Sequence, residues 1–169
     1  MGDKSININL YLLERVDKPH PEECKKCVIA AATEAWAREL ANQQSGGEGY
    51  VWGNEDNVTV TVIGEADDGI DGPICLSQEK IGWQPGLSPL AEKATRVYLL
   101  ERNDTPQPDE WTKCVVAASN ENGARTVVNK ESGSEGYIWS DGRLVTATTL
   151  GKATNGVEGV ICFSRERDS

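Results

Sequence analysis

Apolar and polar positions alternate over Asn9–Val16, which predicts a β-strand. Leu10, Leu12 and Glu14 fall on one side of it, and Tyr11, Leu13 and Arg15 on the other. The stretch 17–23 is polar and broken by Pro19 and Pro21, so it reads as a loop. Cys27–Ala31 predicts a second strand, antiparallel to the first. The period then changes. Ala37, Leu40, Ala41 and Gln44 are spaced for one face of a helix over Glu34–Gln44, with Trp36 beside Leu40 at i+4. Thr33 suits the N-cap, Glu34 places a negative charge on the first turn, and Ser45-Gly46-Gly47 ends the helix. Gly49-Tyr50-Val51-Trp52 reads as a short edge strand or a strap. Val58–Ile63 alternates strictly, so Val58, Val60 and Val62 are expected inward. An acidic turn, 65–72, leads to a last strand over Pro73–Gln78.

The same pattern then starts again. Gly49-Tyr50-Val51-Trp52 returns as Gly136-Tyr137-Ile138-Trp139, displaced by 136 − 49 = 87 residues. Tyr11–Arg15 returns as Tyr98–Arg102, Cys27 as Cys114 and Cys75 as Cys162. Without a gap, residues 11–79 and 98–166 agree at 35 of 69 positions, so whatever they share belongs to one repeated unit. The prediction is an α+β protein of two tandem β-β-α-β-β modules, 6–80 and 96–167, joined by a linker over 81–95. Each module is expected to be an antiparallel sheet with one helix packed on it. The two are expected to be related by a pseudo-twofold axis. In the second copy Asn120 takes the cap position, the helix runs to about Lys130, and Gly123 replaces Trp36. Modules of about 70 residues lie near the lower limit for a self-sufficient core, so they are expected to share buried surface. Trp83 in the linker is expected to lie against a module.

Composition narrows the function classes. The net charge of −10 is uneven: residues 1–83 hold seven Lys/Arg against fifteen Asp/Glu, and residues 84–169 hold ten against twelve. An acidic surface opposes direct nucleic-acid binding, which needs cations to displace counterions. It suits a basic protein partner. No apolar run is long enough to span a bilayer and the N-terminus has no apolar h-region, so no membrane partner and a cytoplasmic location are expected.

The segment order resembles small uncharacterised proteins of phage and bacterial genomes. It is carried by Leu12-Leu13-Glu14-Arg15, Cys27–Ala31, the capped helix with Ala37-Arg38, Val58–Ala66 and Gly72–Ser77. Those proteins carry one such module, whereas this chain is duplicated and cysteine-rich. The resemblance implies a phage or mobile-element setting, hence host cytoplasm, and supplies no activity.

Candidate chemistry is sparse. There is no nucleophile elbow, P-loop or dinucleotide fingerprint, and the lone His20 sits in a proline-flanked loop, so no catalytic residue and no cofactor are assigned. Buried free thiols are the favoured reading of the cysteines. Disulfides Cys27/Cys75 and Cys114/Cys162 stay open, as does a zinc site of His20, Cys24, Cys27 and Cys75. Gln107 and Trp111 replace His20 and Cys24 in the second copy, which argues against a metal. The constellation that recurs is Arg15, Arg38, Tyr50 and Trp52 with Arg102, Arg125, Tyr137 and Trp139. Arginine forks suit phosphate and aromatic faces suit a stacked base, so these eight are the candidate ligand-binding set. They suggest a non-enzymatic anti-defence protein that sequesters a small phosphorylated nucleotide. The alternative is an acidic inhibitor that covers a basic host protein.

Overall fold

The computed structural model describes residues 6–17, 24–44, 51–77, 95–107, 110–131, 138–154, 157 and 159–164. In order they form β1 (Asn9–Arg15), β2 (Lys26–Ala31), α1 (Glu34–Gln44), β3 (Val58–Ala66), β4 (Gly72–Ser77), β5 (Arg96–Arg102), β6 (Lys113–Ala118), α2 (Glu121–Glu131), β7 (Val145–Ala153) and β8 (Gly159–Ser164). Short 3-10 turns at Val51–Gly53 and Ile138–Ser140 follow the helices, where an edge strand or strap was expected. Both caps form as the sequence predicts. The Trp36 amide donates to Thr33 Oγ1 at 3.1 Å and the Gly123 amide to Asn120 Oδ1 at 2.8 Å. Among the described residues no helix is long and apolar enough to cross a membrane.

The expected pair of sheets is instead one antiparallel sheet of eight strands, in the order β4-β2-β1-β3-β7-β5-β6-β8. The join is short. Gly64 pairs with Ala153, Glu65 with Lys152 and Ala66 with Gly151. A Cβ on Gly64 would lie 2.1 Å from the Lys152 carbonyl oxygen, and one on Gly151 would lie 1.7 Å from that of Glu65. Only glycine lets the backbones approach this closely. The sheet also curls, because its edge strands β4 and β8 lie against each other.

The inward face holds one core drawn from both halves. Six buried residues come from the first half, among them Leu10, Leu12, Ile63 and Cys75, and seven from the second, among them Val97, Leu150, Ile161 and Cys162. Neither half could keep this face dry alone, since each buried Leu or Ile contributes roughly 1.5–3 kcal/mol only while covered. The outward faces are separate. α1 covers Tyr11, Leu13, Cys27, Ile29, Trp52 and Val58; α2 covers Tyr98, Leu100, Cys114, Val116, Trp139 and Phe163. β1 thus divides its side chains as alternation predicts.

β3 does not. Leu10 pairs with Gly64 and Tyr11 with Val62, so Ile63 is an extra residue, a β-bulge. The bulge reverses the faces beyond it. Ile63 enters the inner core beside Leu10. Val62, expected inward, pairs with Tyr11 ahead of the bulge on the face of Val58 and Val60, and is 42% exposed. β7 repeats the feature at Leu150. Pro73, which lacks an N–H, sits on edge strand β4, where it costs no central ladder bond. Trp83 and the linker lie outside the described residues, apart from position 95.

Candidate functional site

The recurring arginines are tied into the scaffold. Arg15 is 6% exposed and forks onto Asp17, from Nε at 2.9 Å and Nη2 at 2.5 Å. Arg102 does the same with Asp104 at 2.8 and 2.5 Å, and its Nη1 lies 3.2 Å from Glu110. The hydrogen bond from Arg102 holds the Asp104 carboxyl below the usual carboxylate range. Each fork pins the end of a strand to the turn that follows it.

Arg38 and Arg125 project from the helices. Arg125 donates to the Trp139 carbonyl at 3.0 Å, the Val145 carbonyl at 3.1 Å and Glu121 at 3.0 Å. Arg38 reaches Trp52 O at 3.0 Å, Val58 O at 3.5 Å and Glu34 at 3.0 Å. Each therefore bolts a helix to its 3-10 turn and to the start of the next strand. Trp52 and Trp139 are fully buried beneath the helices. Their rings cannot present a face to a ligand, which corrects their assignment as a stacking platform. Tyr50 and Tyr137 lie outside the described residues. The six described members of the set are scaffold, because what both halves need is the fold.

The cysteines divide by face. Cys27 pairs in register with Leu76 while Val28 pairs with Cys75, so Cys27 enters the outer core and Cys75 the inner one. Cys114 and Cys162 separate in the same way. The sheet lies between Cys27 and Cys75 and between Cys114 and Cys162, so neither of the alternative disulfides can form, as the favoured reading has it. None of the five cysteines is in a disulfide. His20 lies outside the described residues, and no group of three metal-ligating side chains exists among those described.

A polar row that also recurs went unread in the sequence. Thr59, Glu14 and Lys26 are cross-strand neighbours on the inner face, and Ser77 pairs in register with Lys26. Thr146, Glu101, Lys113 and Ser164 match them. Lys26 is only 3% exposed and its ammonium lies 3.8 Å from Glu14. Its stem covers the edge of the core while the charge stays paired.

What reaches solvent differs between the halves. Beside α1 lies an open concavity of about 510 Å³ lined by Glu34, Ala35, Arg38, Glu39, Asn42, Gly53 and Glu55. Trp36, on the same helix, is 48% exposed. At positions 34, 38, 39, 54, 55 and 56 the charge sums to −1 + 1 − 1 + 0 − 1 − 1 = −3. The equivalents Glu121, Arg125, Thr126, Asp141, Gly142 and Arg143 sum to −1 + 1 + 0 − 1 + 0 + 1 = 0. A hydrogen bond from Arg143 holds the Asp141 carboxyl low, and the two form an ion pair at 3.0 Å. A second concavity, about 230 Å³, lies between Ile6–Ile8 and the turn carrying Glu65, Asp67 and Asp68. Asp67 there faces Arg96 at 3.6 Å. Glu65, Asp67 and Asp68 are replaced by Lys152, Thr154 and Asn155 in the second copy.

Comparison with known proteins found no matching family model, no matching curated protein and no matching solved structure.

Proposed function

We propose that the protein is a non-enzymatic binding protein whose first half covers a basic protein surface. The observation that carries this reading is the asymmetry on one frame. The helix, its arginine bolt and its buried tryptophan serve both halves alike. Only the first half adds Trp36 and the carboxylates Glu39, Glu55 and Asp56 outside. None of these four is needed to build the unit, because Gly123, Thr126, Gly142 and Arg143 serve in the second half. A half-exposed tryptophan on the helix that also carries Glu34 and Glu39 has the composition of a binding anchor with a steering rim.

On the resemblance of each half to small phage proteins, the target class is a nucleic-acid-binding or defence protein of the host. Two further proposals concern the frame. We take the chain as a tandem duplication whose halves are related by a pseudo-twofold axis at Glu65–Lys152, supported by the crosswise register of Gly64 with Ala153 and Ala66 with Gly151. Sequestration of a small phosphorylated nucleotide is the lesser reading. Its arginines already have carboxylate or carbonyl partners, and its described aromatics are buried.

Titration calorimetry with an arginine-rich peptide as probe tests the main reading. Affinity is expected to fall about tenfold or more between low and physiological salt. It is also expected to fall on the order of tenfold in Glu39→Lys/Glu55→Lys, and in Trp36→Ala. The matching Thr126→Lys/Gly142→Lys variant is expected to bind like the parent. Equal losses from both charge variants, or no binding at low salt, would overturn the proposal. Heat with a cyclic dinucleotide in the same cell would instead favour the nucleotide reading.

A further inference from the structure

The hydrogen-bonded ladder ends at β4 and β8, and these strands meet at a seam that closes the inner core. Cys75 and Cys162 stand on opposite sides of that seam. They occupy matching positions, 162 − 75 = 87 residues apart. They are 0% and 2% exposed and belong to the same inner core. Cys75 Sγ lies 4.0 Å from the carbonyl oxygen of Cys162, and Cys162 Sγ lies 3.9 Å from that of Phe163. The Cys75 thiol thus reaches its counterpart's backbone across the seam, the juxtaposition that a disulfide between the two would need. Cys27 and Cys114 lack this relation, since they lie in different outer cores on the other face.

We propose that Cys75 and Cys162 are a thiol–disulfide site that staples the two edges of the sheet together under oxidising conditions. The oxidant is a low-molecular-weight disulfide of the glutathione class. One cysteine thiolate attacks a sulfur of the oxidised glutathione, its S–S bond breaks, and one glutathione thiolate leaves. The second cysteine thiolate then attacks the protein sulfur of this mixed disulfide and expels the second glutathione. Two protein thiols are oxidised, one glutathione disulfide is reduced to two thiols, and the cysteine protons pass to solvent. Both sulfurs are buried, so the first attack requires opening of the seam. Opening there breaks side-chain packing but no ladder hydrogen bond, which makes β4 and β8 the edges that part most readily.

The test uses the full chain, equilibrated with oxidised and reduced glutathione, quenched in acid and alkylated. Intact mass is expected to show loss of two hydrogens, and non-reducing peptide maps are expected to join Cys75 to Cys162. The closed loop spans 87 residues, so Tm is expected to rise on the order of 10 °C and to return on reduction. Cys75→Ser and Cys162→Ser should lose the bond, while Cys24→Ser and Cys27→Ser retain it. The wild-type map alone decides the matter if a variant does not fold. A stable mixed disulfide with no internal bond, a link between any other pair, or no reaction at urea concentrations just below unfolding would overturn the proposal.

Discussion

The two halves share a frame and differ in where they put their extra aromatic residues. Trp52 and Trp139 are common to both and fully buried. The first half adds Trp36, 48% exposed on α1; the second adds Trp111, 7% exposed under its own outer core. Trp111 stacks on Phe163 at 4.8 Å, and Trp139 meets the same ring edge-on at 6.4 Å. The first half has Cys24 and Leu76 in place of Trp111 and Phe163. The second half therefore reads as the better-packed support, and the first as the half whose variation faces outward. Positions that agree between the halves build the scaffold, and positions that differ show what each half adds to it.

The sharpest way to break that comparison is Phe163→Ala. Removing a fully buried ring that touches two tryptophans is expected to cost about 4 kcal/mol in urea unfolding. Leu76→Ala, at the matching but partly exposed position, is expected to cost about 2 kcal/mol. Equal costs would mean that the aromatic cluster is not what distinguishes the second half.

Next in size is the join. Gly151→Ala would set a Cβ 1.7 Å from the Glu65 carbonyl oxygen, so β3 and β7 must move apart. A loss of about 3 kcal/mol is expected. The inner core is shared, so fluorescence and circular dichroism should still report one coincident transition. Two transitions would show that the halves stand independently and that the comparison is between domains.

Much of this frame was legible in the residues. The limits of α1, its Thr33 cap and the division of β1 into two faces follow from spacing alone. The bulge at Ile63 did not, because an inserted residue leaves the alternation of Val58–Val62 intact and only redirects what comes after. The single sheet was not read either, since strand pairing across halves leaves no periodicity. Gly64 and Gly151, at matching places in strands rich in Val and Thr, were its available trace. The candidate site failed for a reason the repeat itself explains. Recurrence selected residues that both halves require, and those are the arginine bolts and buried tryptophans. The charged positions outside had to be sought where the copies disagree, as at Glu55 against Gly142.

The smallest effects concern the bolts. Arg125→Met keeps the stem and removes the guanidinium, leaving the Trp139 and Val145 carbonyls without donors it now supplies at 3.0 and 3.1 Å. Charge-assisted bonds to buried carbonyls make this worth about 2 kcal/mol. In Arg38→Met the bond to Trp52 O is equally short, but the one to Val58 O is 3.5 Å, so about 1 kcal/mol is expected. The ordering matters more than either value. If the arginines are scaffold, Arg125→Met is the more damaging and neither variant alters binding of the arginine-rich probe beyond its effect on stability. If instead Arg38→Met changes affinity at unchanged stability, the bolt of the first half also belongs to its outer surface. The boundary between what the halves share and what the first half adds would then run through α1 itself.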